Sequence, residues 1–224
     1  MIKIALMEAE TPGNIGAICR VMKNFGLTNL ILINPQCEYD CNEAIARSKH
    51  AKDVLKKAKI LKSLSDLKAD YIIGTTAIKG NDYNIPRLSL TPEQLAEKIK
   101  SQKKNFTILF GREGNGLFNE EIRQCDLIVS IPSDKKYPTL NLSHSVGIIC
   151  YELFKTEPLE VVPLASAKDK EILFKHLDQQ INQMPFTTPE KKETQHFVWR
   201  KILNKSMLTK REIFALFGFF KKLK

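Results

Sequence analysis

Short apolar runs alternate with longer amphipathic ones along the first two thirds of the chain. The apolar runs are "IKIALMEA" (2–9), "NLILINP" (29–35), "DYIIGTT" (70–76), "FTILFG" (106–111) and "DLIVSIP" (126–132). Each is apolar at consecutive positions and rich in β-branched residues, as strands covered on both faces must be. Between them the apolar positions recur at helical spacing. "NIGAICRVMKNFG" ends at Gly26, a C-cap signal. "CNEAIARSKHAKDVLKKAK" sets Ala44, Ile45, Ser48, Ala51, Val54 and Leu55 on one face. "TPEQLAEKIKSQ" opens with Thr91 as N-cap and Pro92 at the first helical position. "LNLSHSVGIICYELFKT" is apolar enough to predict a buried helix starting near Asn141. Strands alternating with helices predict an α/β domain with a parallel sheet over residues 1–157.

The pattern then changes. "TEPLEVVPLAS" carries two prolines and reads as a linker, placed at 158–166. Only helical patterns follow, at 167–184, 188–205 and 209–222, so residues 167–224 are predicted to form a small all-α extension. Pro185 and Pro189 punctuate the first boundary, and Thr209 with Glu212 forms a capping box for the last helix. That helix concentrates Phe214, Phe217, Phe219 and Phe220. Its aromatic face needs cover, from a partner subunit or from the main domain.

Composition narrows the function. Of 224 residues, 43% are hydrophobic, which permits a real core and excludes global disorder. A net charge of +10 and a pI near 9.3 favour a polyanionic partner, most simply nucleic acid. Cys37 and Cys41 are close but have no second pair, and the four histidines lack ligand spacing. Neither a disulfide framework nor a metal site is expected. No apolar run approaches the ~18 residues of a membrane helix. With no signal-peptide shape at the start, a cytoplasmic, reduced protein is the expectation.

The stretch "PGNIGAICRVMKNFG" (12–26) suggests a nucleotide cradle, a glycine turn between strand and helix. Yet the dinucleotide fingerprint G-x-G-x-x-G is broken: Cys19 follows where the last glycine would stand after Gly13 and Gly16. Asn34 also stands near where a ribose-binding acid would be. These exclude a Rossmann dehydrogenase. What remains is N-x-G-x-x-x-R: Asn14, Gly16, Arg20. Ligands of parallel α/β sheets bind at the carboxyl ends of strands. There the chain has "EAETPGNIG", "GTTAIKG", "GREGNGL" and "IPSDKKYPTLNLSHS".

The order of N-x-G-x-x-x-R, "FGREGNGL" and "IPSDKKYPTLNLSHSVGIICYEL" resembles the SPOUT-class RNA methyltransferases of the TrmH family. Within them the chain is most similar to the TrmJ-type tRNA ribose 2′-O-methyltransferases. The tail segment "RKILNKSMLTKREIF" fits that group too, so the resemblance covers nearly the whole chain. It implies a parallel-sheet domain with a C-terminal deep trefoil knot, S-adenosylmethionine as cofactor, no metal, an RNA substrate and a homodimer. The implied substrate is tRNA, at anticodon-loop position 32; ribosomal RNA and a non-catalytic RNA-binding role are the alternatives. Carried over residue by residue, Thr75, Thr76, Ala77, Gly111, Ile131, Pro138, Thr139 and Leu140 would hold the cofactor. Small residues there let main-chain groups reach a ligand, and Ile131 and Leu140 supply an apolar wall. Arg20 and Asn14 would face the acceptor, with Glu113 and Asn141 completing the catalytic set. Arg20 is the implied catalytic arginine, and Glu113 would fix Asn14 or Arg20 or pass a proton on. Gly16 would let the turn approach closely. Many relatives have Ser-Leu-Asn where this chain has Thr139-Leu140-Asn141, which keeps the hydroxyl and adds a methyl group.

Overall fold

The computed structural model describes residues 1–77, 89–155 and 163–223. The chain divides into two compact units, Met1–Ser101 with Asn105–Leu159 and Gln102–Lys104 with Glu160–Lys224. The first is a three-layer α/β unit. Its strands are β1 (Ile2–Met7), β2 (Leu30–Ile33), β3 (Lys59–Leu61), β4 (Tyr71–Thr75), β5 (Phe106–Phe110) and β6 (Leu127–Val129). Its helices are α1 (Pro12–Asn24), α2 (Asn42–Ser48), α3 (Lys52–Lys56), α4 (Pro92–Ile99), α5 (Asn119–Gln124) and α6 (Leu142–Lys155). The strands lie in the order β3-β2-β1-β5-β4-β6, and every pair is parallel.

The sheet is covered on both sides, which is why its strands read as unbroken apolar runs. Ala5, Met7, Ile31, Ile33, Leu109 and Ile128 share one cluster with Leu64, Leu67, Leu117, Ile122 and Cys125. Alternation along each strand turns Ile4, Leu6, Leu30, Leu32, Ile108 and Phe110 to the other side. These are buried too, as are Ile15, Ile18 and Met22 of α1, Leu95 of α4 and Val146 of α6. Burial pushes the Cys19 and Cys150 thiols up to about 12, so both are core residues and not nucleophiles.

Three elements differ from the sequence reading, which places no helix at α5. β3 is absent from it, because Lys59 and Ile60 are exposed and the strand is too short to show a pattern. The helix expected over 41–59 is broken. α2 stops at Ser48, Lys49 adopts a left-handed φ of 50°, and a short 3-10 turn over 49–51 leads into α3. No Gly or Pro marks that break. Elsewhere the signals hold: α1 ends before Gly26 (φ 71°), and Thr91 caps α4 in a capping box with Gln94.

The second unit contains α7 (Ala167–Gln183), α8 (Pro189–Ser206) and α9 (Lys210–Phe220). Capping boxes at Ser166/Asp169 and Thr209/Glu212 start α7 and α9. Ala165, Leu173 and Ile213 form its core, with Leu203, Leu208, Leu216, Phe217 and Phe220 packed around them. Phe217 and Phe220 thus find cover within the unit, whereas Phe214 and Phe219 stay more than half exposed. Asp178 accepts from Arg200 and pairs with His196 Nδ1 at 2.7 Å, and the guanidinium of Arg200 lies over the Phe174 ring. These contacts tie α7 to α8. The expected linker lies outside the described residues as far as position 162.

Gly13 and Gly16 lie on the α1 face that packs against α2. A Cβ at Gly16 would sit 2.2 Å from the Ala44 carbonyl oxygen, and one at Gly13 would sit 2.4 Å from Glu43 Oε1. Gly16 therefore serves helix packing and not a close approach to substrate. This decides the sign of a substitution. In an open helix Gly→Ala gains about 0.5–1 kcal/mol, but overpacking against backbone costs about 1–3 kcal/mol. Gly16→Ala should destabilise the protein. Gly218→Ala in α9, where a Cβ meets nothing within 4 Å, should stabilise its unit. Urea titrations of both variants check the opposite signs.

Candidate active site

The carboxyl ends of β4, β5 and β6 and the start of α6 enclose a cavity of about 200 Å³. All eight residues marked for the cofactor line it: Thr75, Thr76, Ala77, Gly111, Ile131, Pro138, Thr139 and Leu140. Two of them hold the wall together. Thr75 Oγ1 donates to the Leu109 carbonyl at 3.1 Å, and the Thr76 N–H donates to the Val129 carbonyl at 3.0 Å. What faces a ligand is different. Ile131 and Leu140 present apolar surface, with the buried Val129 and Ile149 in the wall behind them. The main-chain N–H groups of Glu113, Gly114 and Asn115 have no hydrogen-bond partner among the described residues. Apolar walls beside main-chain donors suit a ligand with a flat ring and a polar tail.

The loop after β5 closes tightly on itself. Arg112 and Gly116 exchange both main-chain hydrogen bonds, at 3.2 and 3.0 Å. Gly116 takes φ 65°, and a Cβ at Gly111 would sit 2.0 Å from the Gly116 carbonyl carbon. Only glycine fits at 111.

Arg112 holds this loop in place, and the sequence reading missed it. Its guanidinium donates to Glu8 Oε2 (2.7 Å), to both oxygens of Glu121 (3.0 and 2.9 Å) and to the Gly116 carbonyl (3.2 Å). It also lies 4.1 Å from the centroid of the Phe118 ring. Glu121 first, then Glu8, raises the Arg112 pKa further. In return Arg112, then the Asn34 amide, hold the Glu8 carboxyl below its ordinary 4.5. Glu8 and Asn34, at the ends of β1 and β2, both take left-handed φ (46° and 47°), and their side chains bond at 3.1 Å. No local spacing signals Arg112: Glu8 lies 104 positions away and Glu121 nine, on β1's end and on α5.

Asn14, Glu113 and Asn141 come together. Glu113 accepts from the N–H groups of Glu10 and Thr11, both at 3.2 Å, and from Asn14 Nδ2 at 3.3 Å. It thereby caps the start of α1, where Thr11 provides no side-chain cap and Pro12 has no N–H. A carboxylate also suits the positive end of the helix dipole. Asn141 Nδ2 donates to Asn14 Oδ1 at 3.2 Å, while Asn141 Oδ1 accepts from the Ser143 amide and hydroxyl. The chain Glu113–Asn14–Asn141 thus joins the β5 loop to the starts of α1 and α6.

Arg20 does not join them. It is exposed, and its guanidinium makes no hydrogen bond or ion pair with the described residues. It lies about 9 Å further along α1 than Asn14 and on a different face. The Gly16 face, one turn before it, meets α2 and not the ends of the strands.

The model of the SpoU rRNA Methylase family matches residues 1–151. The chain is 36% identical to a tRNA (cytidine-2′-O-)-methyltransferase TrmJ of Methanocaldococcus jannaschii, over 99% of both chains. It is 30% identical to the tRNA (cytidine/uridine/adenosine-2′-O-)-methyltransferase TrmJ of Pseudomonas aeruginosa, over 97% of this chain and 91% of that one. The crystal structure of TrmJ from Z. mobilis ZM4 superposes with a TM-score of 0.75 at 27% identity, over 100% and 99% of the two chains.

The buried cation predicts a pH signature. Arg112→Ala leaves two carboxylates facing each other without their cation, and breaking such a pair costs about 3 kcal/mol or more. Glu8→Gln should destabilise less. Because the folded pKa of Glu8 is depressed, its contribution is complete above 4.5 and fades as pH falls through the depressed value. The stability gap between wild type and Glu8→Gln should therefore narrow below pH 4.5 in chemical denaturation. A gap unchanged down to strongly acidic pH would sink the assignment.

Proposed function

We propose, given that the chain belongs to the SpoU rRNA methylase family, that it methylates a ribose 2′-hydroxyl of tRNA with S-adenosylmethionine as donor. The target we infer is the nucleotide at anticodon-loop position 32. What carries the proposal is the meeting of all eight cofactor-marked residues on one cavity, beside the Glu113–Asn14–Asn141 chain. Support for tRNA comes from the names of relatives aligned over nearly the whole chain, and a net charge of +10 suits RNA.

The cavity fits such a donor. Ile131 and Leu140 offer an apolar slot for a purine, and the amides of residues 113–115 offer donors for its polar groups. The sulfonium brings an already activated methyl group, so the protein's task is alignment of the acceptor oxygen at about 3–3.5 Å with water excluded. Glu113 and Asn141 fix Asn14 at the edge of the cavity. A guanidinium has donors and no acceptor, so Arg20 cannot serve as a base. Its role is to grip the phosphate beside the ribose and to polarise the hydroxyl. We extend the family reading to a trefoil-knotted path for the segment ending in α6, which packs against α1 and α4.

We also propose a homodimer. Ile148, Tyr151 and Phe154 leave the α6 helix exposed on one side, although its sequence predicts full burial. Phe25 packs edge-on against Tyr151 and at a tilt against Phe154, with ring centroids 6.1 and 5.8 Å apart. A contiguous aromatic patch of this kind marks an interface, and it lies on the helix whose start carries Asn141.

Labelled methyl transfer to purified tRNA and ribosomal RNA, followed by mapping of the modified ribose, tests the reaction and the substrate together. Arg20→Ala should lower single-turnover transfer by about 10²–10³, with donor affinity unchanged and stability shifted by less than about 0.5 kcal/mol. Arg20→Lys should recover little, since it lacks the planar fork. Activity of Arg20→Ala within threefold of wild type would remove it from the reaction. Sedimentation should give about twice the 25.6 kDa chain mass, and Phe154→Asp should shift it to the monomer.

A further inference from the structure

We infer that Tyr137 is a stacking platform for an unpaired base of the RNA acceptor, with Lys135 and Lys136 as its phosphate contacts. This rests on the RNA-methylation reading above. Tyr137 is 82% exposed, more than any other large side chain of its class among the described residues. An aromatic ring so open usually sits on a mobile tip, but here the backbone is fixed from several sides. Ser133 Oγ donates to the Pro138 carbonyl at 3.0 Å. The Lys136 N–H donates to Asp134 Oδ1 at 2.7 Å, and the Tyr137 N–H to the Asp134 carbonyl at 3.2 Å. Pro138 restricts its own φ and the backbone of Tyr137 before it. The turn thus holds an unpacked aromatic ring outward.

Its place gives that ring a use. Pro138, Thr139 and Leu140 form the cavity wall, and Asn141 starts α6. Tyr137 is the residue immediately before that wall, at its rim. A ribose hydroxyl brought to the cavity carries its own base and its neighbours' bases past this rim. Bases in single-stranded loops are splayed out and stack on aromatic side chains. Lys135 and Lys136 are exposed and form no ion pair with the described residues. The Asp134 carboxylate beside them is turned to the main chain of the loop. A cationic, aromatic rim suits a nucleotide better than it suits a second copy of a chain that is itself strongly basic.

The test uses the full-length protein, with tRNA binding followed by fluorescence anisotropy and methyl transfer measured alongside. Tyr137→Ala should weaken tRNA binding and raise KM for tRNA by roughly tenfold or more, with donor affinity by calorimetry and the sedimentation coefficient unchanged. Tyr137→Phe should stay within about twofold of wild type, and Tyr137→Leu should behave like Ala, since the ring face is what binds. Lys135→Gln with Lys136→Gln should flatten the salt dependence of tRNA affinity, whereas Tyr137→Ala should leave its slope alone. The proposal is overturned if Tyr137→Ala binds tRNA within twofold of wild type. It is also overturned if Leu replaces Tyr without loss, if donor affinity falls in parallel, or if the variant changes oligomeric state. Wild-type protein that binds tRNA through Tyr137 but transfers no methyl group would overturn the proposed reaction and leave the platform standing.

Discussion

The guanidinium of Arg112 is the contact on which the site's geometry depends. A glycine-rich loop has no side chains with which to pack itself, and glycine loses the most entropy when ordered. Arg112 solves this from within the loop. It clamps the Gly116 carbonyl across the turn and anchors the turn to the end of β1 through Glu8 and to α5 through Glu121. An apolar side chain of similar size could match the stability of such a buried pair. It could not fix direction, because only the planar fork bonds three partners at set angles. With the loop held, residues 113–115 line the cavity, and the Glu113 carboxylate reaches the start of α1.

That aim makes the start of α1 a tertiary feature. Thr11 contributes no side-chain cap, so the orphan N–H groups there depend on a carboxylate about a hundred residues away in the chain. The helix carrying Asn14 and Arg20 is therefore set by the same loop that lines the cavity. Asn14 passes the constraint on to Asn141, which donates to it through Nδ2 while its side-chain oxygen caps α6. The cavity and the side chains of Asn14 and Asn141 are thus registered to each other through one short chain of polar contacts. Such a chain is least tolerant of losing a single member, because each partner would be left unpaired.

How much of this was legible in the sequence differs by residue. The strands of the sheet's centre were readable because both faces are covered, and the cavity residues because loops at strand ends were the place to look. β3 was not, since an edge strand with an exposed Lys59 carries no apolar pattern. The break at Lys49 was hidden because a left-handed lysine leaves no mark in composition. Gly16 was visible but misassigned: a glycine needed for helix packing looks in sequence like one needed for a ligand. Arg112 was overlooked for the opposite reason. Its partners Glu8 and Glu121 lie far from it in sequence or on another element, so no local spacing announces the ion pair.

Arg20 stands outside the Glu113–Asn14–Asn141 chain of contacts. Every other polar residue implicated in the reaction has its partners inside the first unit, whereas this cation has none among the described residues and leaves α1 on a different face from Asn14. A long charged side chain fixed by nothing pays rotamer entropy when it is ordered by a ligand. Evolution tolerates that where the ligand supplies the missing anion. Two sources fit: the phosphate of the substrate, or the site of a second subunit brought up against the exposed aromatic side of α6. These are compatible. If the two α6 helices meet, the α1 helices packed beside them are carried to the same seam, and each Arg20 is offered to RNA crossing between subunits. On the dimer and the reaction proposed above, assembly would then gate the chemistry, since neither the cavity nor the cation alone orients the hydroxyl.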